Sequence, residues 1–348
     1  MWQIHDYKET DFQSMLDLGK EVYGEIEITE EDFIRWQYFT NPTNPPIIRL
    51  AKNEENELVS QLVMLTVEVK VIDKDVKAGL AVNLYTKKEY RKQGIFLALC
   101  EELNEACRES GYAFTYCYPN KNSYTGFSKS YTVLHMVPLL LYPLDLKNLV
   151  AKKLNKTLAV FAPNWLFRKN KKSAAPEIIE AKNEDLPLFE AFWETIKEKY
   201  PILLKRNVQF IKWRYMDAPN EKYKVFVYKK ENTILGYIVA AIRDVEGIIN
   251  GMIVDFLINS DDAPVGEELI NKCFEHFRNN DAELVGCLML EHTQEYKILK
   301  KCGLIRCPKF LEPQPFPLSM RILREEQNNE DLKNINNWYA TMGDFDAV

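Results

Sequence analysis

An internal repeat is the feature that most constrains the fold of this chain. Residues 33–38, Phe-Ile-Arg-Trp-Gln-Tyr, recur as residues 210–215, Phe-Ile-Lys-Trp-Arg-Tyr, at an offset of 177 positions. At the same offset Asn41-Pro42 faces Ala218-Pro219, and each copy then runs through a strand-like segment, a polar turn and a second strand-like segment. The repeated register predicts that one structural plan occurs twice in the 348 residues.

A fainter continuation supports the same plan, since residues 78–83 match residues 250–255 at an offset of 172. Each copy contains, in order, helices, a hairpin, a buried strand, a helix and a further strand. That order predicts an α+β chain with two tandem folds, each a mixed, mostly antiparallel twisted sheet flanked by helices. The predicted parts are a first domain (1–145), a connector (146–176), a degenerate second domain (177–325) and a docked C-terminal segment (326–348).

The connector has no acidic residue, and its eight Lys and Arg residues flank an apolar stretch at 158–167. A contact with a membrane surface or a polyanion is one interpretation. A packed connector with solvated lysines is the other, and the one we prefer. The C-terminal residues 336–348 mix Trp338 and Tyr339 with acidic residues, which predicts a docked segment.

Composition excludes several classes of protein. Lys and Arg number 45 against 51 Asp and Glu, and this net charge of -6 argues against dedicated nucleic-acid binding. The longest apolar run, 136–144, contains two prolines and is too short to span a bilayer, and the N-terminus lacks the pattern of a secretory signal. Seven scattered cysteines without a CxxC pair indicate reduced thiols. We therefore expect a cytoplasmic protein without stable membrane insertion; its oligomeric state stays open.

The segment from 78 to 129 carries the pattern most typical of a binding site. An alternating strand is followed by a basic turn at 87–94, a helix that ends at Gly111, and a second strand at 112–118. A glycine turn at a helix N-terminus binds anions, because the first amides are unpaired and the helix dipole favours negative charge. Gly94 would let a phosphate approach the backbone, and Arg91 or Lys92 would neutralise it. A structural glycine among solvated lysines is the alternative.

Two common phosphate loops, G-x-x-x-x-G-K-[ST] and G-x-G-x-x-G, are missing from this turn. The pattern that is present, Arg91-x-x-Gly94-x-Phe96, resembles the acyl-CoA-binding signature [QR]-x-x-G-x-[GA] of the GNAT family of N-acetyltransferases. Residues 119–127 are similar to the family's junction between its fifth strand and the following helix. Phe96 departs from the last signature position. The resemblance covers residues 1–145, and the second copy matches by repeat and element order.

The resemblance implies an N-acyltransferase that moves an acyl group from acetyl-CoA, or another acyl-CoA, to a primary amine. The amine attacks the thioester between two splayed strands, and a strand amide stabilises the oxyanion. The implied cofactor-binding residues are those of the strand end, the turn and the junction: Leu84, Tyr85, Thr86, Arg91, Lys92, Gln93, Gly94, Ile95, Phe96, Asn120 and Ser123.

The catalytic residues are less well marked. In the family, a tyrosine on the helix after the fifth strand often protonates the leaving thiolate, and the corresponding position in this sequence is Phe127. We predict that Tyr124, one helical turn earlier, takes over this role. Tyr131 is the next choice. For the base, the sequence offers Glu89 or a water held by Asn83. No metal is expected, because His292 and the nearby cysteines match no zinc spacing.

The second copy has lost the turn. Residues 263–266, Ala-Pro-Val-Gly, stand opposite Arg91 to Gly94, and Asp261 and Asp262 precede them. A missing arginine, a proline without an amide hydrogen and two acids all predict that this copy does not bind CoA. Its role is then to shape the acceptor pocket or to stabilise the first copy.

The duplicated architecture with its W-x-Y and N-P motifs resembles GNAT members of bacterial cell-surface polysaccharide metabolism, and this resemblance implies a small-molecule amine, such as an amino sugar, as acceptor. Two other functions stay open at this point. One is a non-catalytic acyl-CoA-binding sensor, which the Phe96 and Phe127 departures favour. The other is an aminoacyl-tRNA-dependent ligase with paired copies of this fold, against which the acidic balance counts.

Overall fold

A computed structural model gives the structure of residues 1–43, 45–153, 175–259, 263–324 and 329–345. The chain divides into two compact units. Unit 1 consists of Met1–Met136 and Gln314–Asn337, and unit 2 consists of Val137–Pro313 and Trp338–Val348. The apolar stretch 158–167 of the connector lies outside the described residues.

Unit 1 contains the elements of the first copy. They are β1 (Trp2–Asp6), α1 (Phe12–Tyr23), α2 (Glu31–Phe39), β2 (Ile47–Asn53), β3 (Leu58–Val71), β4 (Lys74–Thr86), α3 (Ile95–Glu109), β5 (Phe114–Cys117), α4 (Tyr124–Phe127) and β6 (Thr132–Met136), with β15 (Pro317–Ile322) and α10 (Asn329–Lys333) from the end of the chain.

Unit 2 repeats that order. Its elements are β7 (Leu139–Pro143), α5 (Leu146–Lys153), β8 (Ile178–Glu180), α6 (Leu186–Ile196), β9 (Ile202–Leu204), α7 (Val208–Ile211), β10 (Tyr223–Lys230), β11 (Thr233–Val245), β12 (Ile248–Ile258), α8 (Ala263–Asn279), β13 (Leu284–Leu288), α9 (Gln294–Lys301), β14 (Ile305–Arg306) and β16 (Trp338–Tyr339). From β1 to β6 and from β8 to β14 the main strands and helices correspond one to one, which confirms the tandem α+β fold.

The two sheets have the same topology. The strand order is β1-β2-β3-β4-β5-β15-β6 in unit 1 and β14-β7-β13-β12-β11-β10-β8 in unit 2. Along these two strand orders, neighbouring strands are antiparallel except β4 with β5 and β12 with β13, which are parallel. The short strands β9 and β16, which lie off these paths, also pair in parallel. Each unit is therefore a mixed, mostly antiparallel sheet, as the sequence predicts.

By sequence, β7 ends the first copy (1–145) and β15 ends the second copy (177–325), but β7 belongs to unit 2 and β15 to unit 1. β7 pairs with β13 and β14, and β15 pairs with β5 and β6. This reciprocal exchange is why the division into units differs from the predicted boundaries at 145, 177 and 325. The C-terminal segment also divides, because residues 329–337 belong to unit 1 and Trp338 onward to unit 2.

A duplicated ion pair marks the repeat at the level of side chains. Lys52 Nζ lies 2.7 Å from Asp11 Oδ1 in unit 1, and Lys229 Nζ lies 2.8 Å from Asp185 Oδ1 in unit 2. Burial is the largest influence and raises the pKa of each aspartate, but the hydrogen bonds from the lysine and from a backbone amide, together with the lysine charge, outweigh burial and lower the pKa. Two corresponding pairs, each with a buried aspartate and a partly buried lysine, are the expected trace of one ancestral unit.

The cysteines belong to the cores, as predicted. All seven are free thiols, and all are buried except Cys302, which is partly buried. Burial raises the pKa of Cys100, Cys107 and Cys302 to about 12 in each case, so that these groups stay thiols at neutral pH. We expect Ellman's reagent to react slowly with the native chain and to titrate seven thiols after unfolding. A fast-reacting thiol in the native protein would contradict this packing.

Candidate active site

The site begins where two parallel strands of unit 1 diverge. β4 and β5 pair over only three positions, from Ala78–Phe114 to Leu80–Tyr116. β4 then continues to Thr86, whereas β5 ends at Cys117. An irregularity in the pairing with β3 falls at Asn83 and Leu84, where two residues of β4 stand opposite one of β3. Beyond Leu80 the β5 side of β4 is thus open to a ligand, as the splayed strands of the prediction require.

The turn after β4 prepares the start of α3. Arg91 Nε donates a hydrogen bond to the carbonyl of Thr86 at 3.1 Å, which holds the exposed arginine over the end of the strand. Lys92 and Gly94 have φ angles of 63° and 83°. Gly94 is the N-cap of α3, and the first helical hydrogen bond runs from Ala98 N to Gly94 O at 3.1 Å. The amides of residues 95–97 therefore have no partner within the helix.

A cleft of about 470 Å³ opens over this helix start. It is lined by Thr86, Tyr90, Arg91, Lys92, Gly94, Ile95, Phe96, Leu97, Gly126 and Lys129. Among the residues that the structure describes, the lining includes three cations and no carboxylate, and the positive end of the α3 dipole faces the same space. The cleft therefore suits an anionic group with several oxygens, such as a pyrophosphate.

Phe96, which departs from the signature, is accommodated by a glycine. A Cβ atom on Gly126 would lie 2.5 Å from the Phe96 ring, so the ring occupies space that only a glycine leaves open. Phe96 also packs edge-on against Phe127, with ring centroids 4.9 Å apart. The bulky residue thus leans toward α4, and both Phe96 and Gly126 still line the cleft.

The strand–helix junction has the predicted local structure. Asn120 Oδ1 accepts hydrogen bonds from the amides of Asn122 and Ser123 at 2.9 and 3.1 Å, and the Tyr124 amide donates to the Asn120 carbonyl. Tyr124 is the first residue of α4 and is partly buried. Of the two junction residues predicted to bind the cofactor, Asn120 and Ser123, neither is in the lining of the cleft, whereas Gly126 and Lys129 are. Asn120 and Ser123 shape the turn that positions them.

Tyr131, the second choice for the acid, is a core residue. Its hydroxyl donates to Asn104 Oδ1 at 3.2 Å and accepts from Thr115 Oγ1 at 3.1 Å. Burial raises its pKa well above the usual value for tyrosine. Because the side chain is only 5% exposed and its hydroxyl bonds inside the core, Tyr131 serves packing and not proton transfer.

The two predicted base groups lie in different environments. Glu89 is exposed in the short helical turn Lys88–Tyr90 and, like Gln93, is not part of the cleft lining. Asn83 is buried with φ 51°, and its Nδ2 donates to Gln37 Oε1 at 2.8 Å and to Tyr38 OH at 2.6 Å. Both hydrogens of the Asn83 side-chain amide are thus donated to residues of α2. None is left to donate to the predicted water.

Comparisons with known proteins fit this geometry. Residues 3–131 match the model described as "Acetyltransferase (GNAT) domain". The first copy is thus similar to the GNAT family over these residues. No curated protein matches the sequence.

Solved structures resemble nearly the whole chain. A GCN5-related N-acetyltransferase from Anabaena variabilis ATCC 29413 has a TM-score of 0.66 at 12% identity, with 93% of this chain and 73% of that one covered. Saccharomyces cerevisiae N-myristoyltransferase with bound myristoyl-CoA has a TM-score of 0.64 at 11% identity, with 93% and 83% covered. At these identities the likeness establishes the tandem GNAT fold.

Unit 2 lacks the turn that corresponds to Arg91 to Gly94, and the structure shows why. α8 begins at Ala263, so residues 263–266, which align with Arg91 to Gly94, form the first turn of a helix. Gly266 is buried, and a Cβ there would lie 3.0 Å from Ile298. The sequence places Gly266 opposite the glycine turn, but the helix extends over that place. Asp261 and Asp262 lie outside the described residues.

Sequence reasoning missed a buried polar network in unit 2. Arg206 is fully buried; its Nε donates to Asp255 Oδ2 at 2.9 Å and its Nη2 to Asp344 Oδ2 at 2.9 Å. Burial opposes its charge, but the two carboxylates raise the pKa of Arg206. Tyr215 and Tyr237 donate to the same Asp255 oxygen at 3.0 and 2.8 Å. The repeat offered a signal, since Arg206 stands opposite Thr29 at the offset of 177.

No helix among the described residues is long and apolar enough to cross a membrane. In the same part of the chain, no three His, Cys, Asp or Glu side chains are grouped so that they could hold a metal ion. His292, the centre of the loose cluster in the sequence, instead has its Nε2 2.8 Å from the carbonyl of Trp338.

Proposed function

We propose that the chain is an acyl-CoA-dependent N-acyltransferase, with acetyl-CoA as the first co-substrate to test and a primary amine as acceptor. The observation that carries the proposal is the cleft at the start of α3. Three cations and the unpaired amides of residues 95–97 face one space beside the diverging strands β4 and β5. The pyrophosphate would lie on this turn, and the pantetheine arm along Leu84 to Thr86.

The reaction follows from the two substrates. The neutral amine nitrogen forms a bond to the thioester carbonyl carbon, the carbon–sulfur bond breaks, and the proton lost by nitrogen ends on the departing sulfur. A β4 amide would stabilise the intermediate oxyanion. Tyr124 would supply the proton to the thiolate, because a thiol has a pKa of roughly 8.5 and leaves more readily when protonated.

We propose further that the acceptor is an amino sugar or another small metabolite and that the enzyme is cytoplasmic. A non-catalytic acyl-CoA sensor is the second candidate, favoured by Phe127, which is buried between Phe96 and Tyr131 at the family's tyrosine place. Detection of acetyl-CoA binding together with acetylation of any amine in a panel of amino sugars and alkylamines would decide for the enzyme.

Tyr124→Phe is expected to lower kcat by roughly 10²- to 10⁴-fold, because the variant loses the proton donor. The Kd for acetyl-CoA should stay unchanged, since Tyr124 does not line the cleft. Thiol release from acetyl-CoA measures the rate. Tyr131→Phe is the matched control: it removes a core hydroxyl and should lower Tm while leaving kcat unchanged. An unaltered kcat in Tyr124→Phe would remove this residue from the mechanism.

A further inference from the structure

One buried polar atom of unit 1 is left without a partner. Gln61 is 1% exposed, and its Oε1 receives no hydrogen bond from the residues that the structure describes. Its Nε2 donates to the carbonyl oxygen of Asn83 at 3.5 Å, and Oε1 lies on the other side of the amide. A buried acceptor without a donor is unfavourable, and native proteins keep few of them. Such an atom calls for a donor that is not part of the chain.

Gln61 lies on the wall of a small cavity on the α1 and α2 side of the sheet. The cavity has a volume of about 10 Å³, which is the space of one water-sized atom. Besides Gln61 it is lined mainly by apolar side chains, with Thr29 and Tyr38 among them. Tyr85 lines this cavity and the next residue, Thr86, lines the large cleft. Strand β4 is thus the shared wall of the two spaces.

Unit 2 shows which chemistry fits this place. At the repeat offset of 177, Thr29 corresponds to Arg206 and Tyr38 to Tyr215; at 172, Asn83 corresponds to Asp255. In unit 2 the arginine side chain brings N–H donors to Asp255 and is fully buried there. In unit 1 a short threonine replaces the arginine and leaves a cavity. The second copy therefore places N–H donors beside the counterpart of Asn83, whose carbonyl is the neighbour of Gln61 in unit 1.

We propose that this cavity receives the nitrogen of the acceptor's primary amine, which donates a hydrogen bond to Gln61 Oε1. The inference rests on the proposed function, because the nitrogen would attack an acyl group reaching it through the gap between β4 and β5. Gln61 is thus a positioning residue for the nucleophile.

The charges around the cavity select the reactive form of the amine. Unit 2 pairs a cation with Asp255, whereas Asn83 and Gln61 are neutral, and the described part of the chain brings no carboxylate or imidazole to the cavity wall. An apolar site disfavours an ammonium ion, so the amine enters unprotonated and nucleophilic. Desolvation takes the place of a dedicated base, which explains why Glu89 can lie in solvent.

Thermal unfolding of the wild type and of Gln61→Leu tests the inference with n-propylamine as the probe. Without ligand, Gln61→Leu should have an unchanged or higher Tm, because it removes an unpartnered acceptor. At a pH near the amine pKa of roughly 10, n-propylamine should raise the Tm of the wild type but not of the variant. Diethyl ether, which accepts but cannot donate a hydrogen bond, should raise neither. A lower Tm for ligand-free Gln61→Leu, or an equal amine shift in both proteins, would overturn the inference.

Two further variants keep the test independent of one substitution. Gln61→Glu provides a carboxylate for an ammonium ion, so the stabilisation by propylamine should extend to lower pH. Thr29→Arg combined with Asn83→Asp rebuilds the pair of unit 2 and should abolish that stabilisation. Acetyl-CoA should stabilise the wild type and Gln61→Leu equally. If acetyl-CoA stabilises neither while propylamine behaves as described, the proposed function fails and the amine site stands.

Discussion

Replacing Arg206 with alanine is expected to lower the free energy of unfolding of unit 2 by about 3–5 kcal/mol, because it leaves buried carboxylates without their cation. Asp255 and Asp344 both accept hydrogen bonds from this guanidinium, and all three side chains are at most 6% exposed. For a unit of this size, the change corresponds to a fall in Tm of roughly 6–20 °C. Differential scanning calorimetry measures it directly.

Lys212→Ala is the matched control in the same unit. Lys212 also pairs with an aspartate, Asp217, but both side chains are nearly half exposed. Solvent-exposed pairs contribute roughly 0–1 kcal/mol, so this variant should melt close to the wild type. If Arg206→Ala melted with the control, the buried network would not be what stabilises unit 2.

Charge reversal at Arg91 is the second large effect. Loss of a charge-assisted hydrogen bond costs roughly 1.5–3 kcal/mol, so Arg91→Glu is expected to weaken acetyl-CoA binding by roughly 10- to 150-fold, before repulsion by the new carboxylate is added. Isothermal titration calorimetry gives the Kd. Because Arg91 is exposed, the Tm of the ligand-free variant should stay near that of the wild type.

Lys74→Glu is the control for Arg91→Glu. It makes the same change in net charge at an exposed position, at the opposite end of β4 from Thr86. Its Kd for acetyl-CoA should match that of the wild type. Equal weakening in both variants would show that net charge, and not the turn, governs binding.

The sequence predicted what depends on local pattern. The hexads at 33–38 and 210–215 revealed the duplication, and the alternation of β4 followed by a basic turn and Gly94 located the helix start with its φ of 83°. These features can be predicted from the sequence because hydrophobic periodicity and the backbone conformation of glycine depend on only a few neighbouring residues.

The remaining features depend on contacts between distant parts of the chain. Nothing in the short sequences of β7, Leu-Leu-Leu-Tyr-Pro, and β15, Pro-Leu-Ser-Met-Arg-Ile, indicates which of the two sheets each strand joins. The sequence gives no sign that Gln61 differs from any other strand residue. The structure shows that its Oε1 is a buried acceptor without a donor among the described residues. The sequence did contain one indication of the buried network in unit 2, because Arg206 stands opposite Thr29 at the repeat offset of 177.

The measurement that tests the central claim most directly is a calorimetric titration of the wild-type chain with acetyl-CoA. One copy keeps the cationic turn and the other begins its helix at Ala263, so we predict a single site per chain, weakened in Arg91→Glu and intact in Lys74→Glu. Absence of binding to the wild type, or two equivalent sites per chain, would contradict a tandem fold in which only the first copy has kept the chemistry.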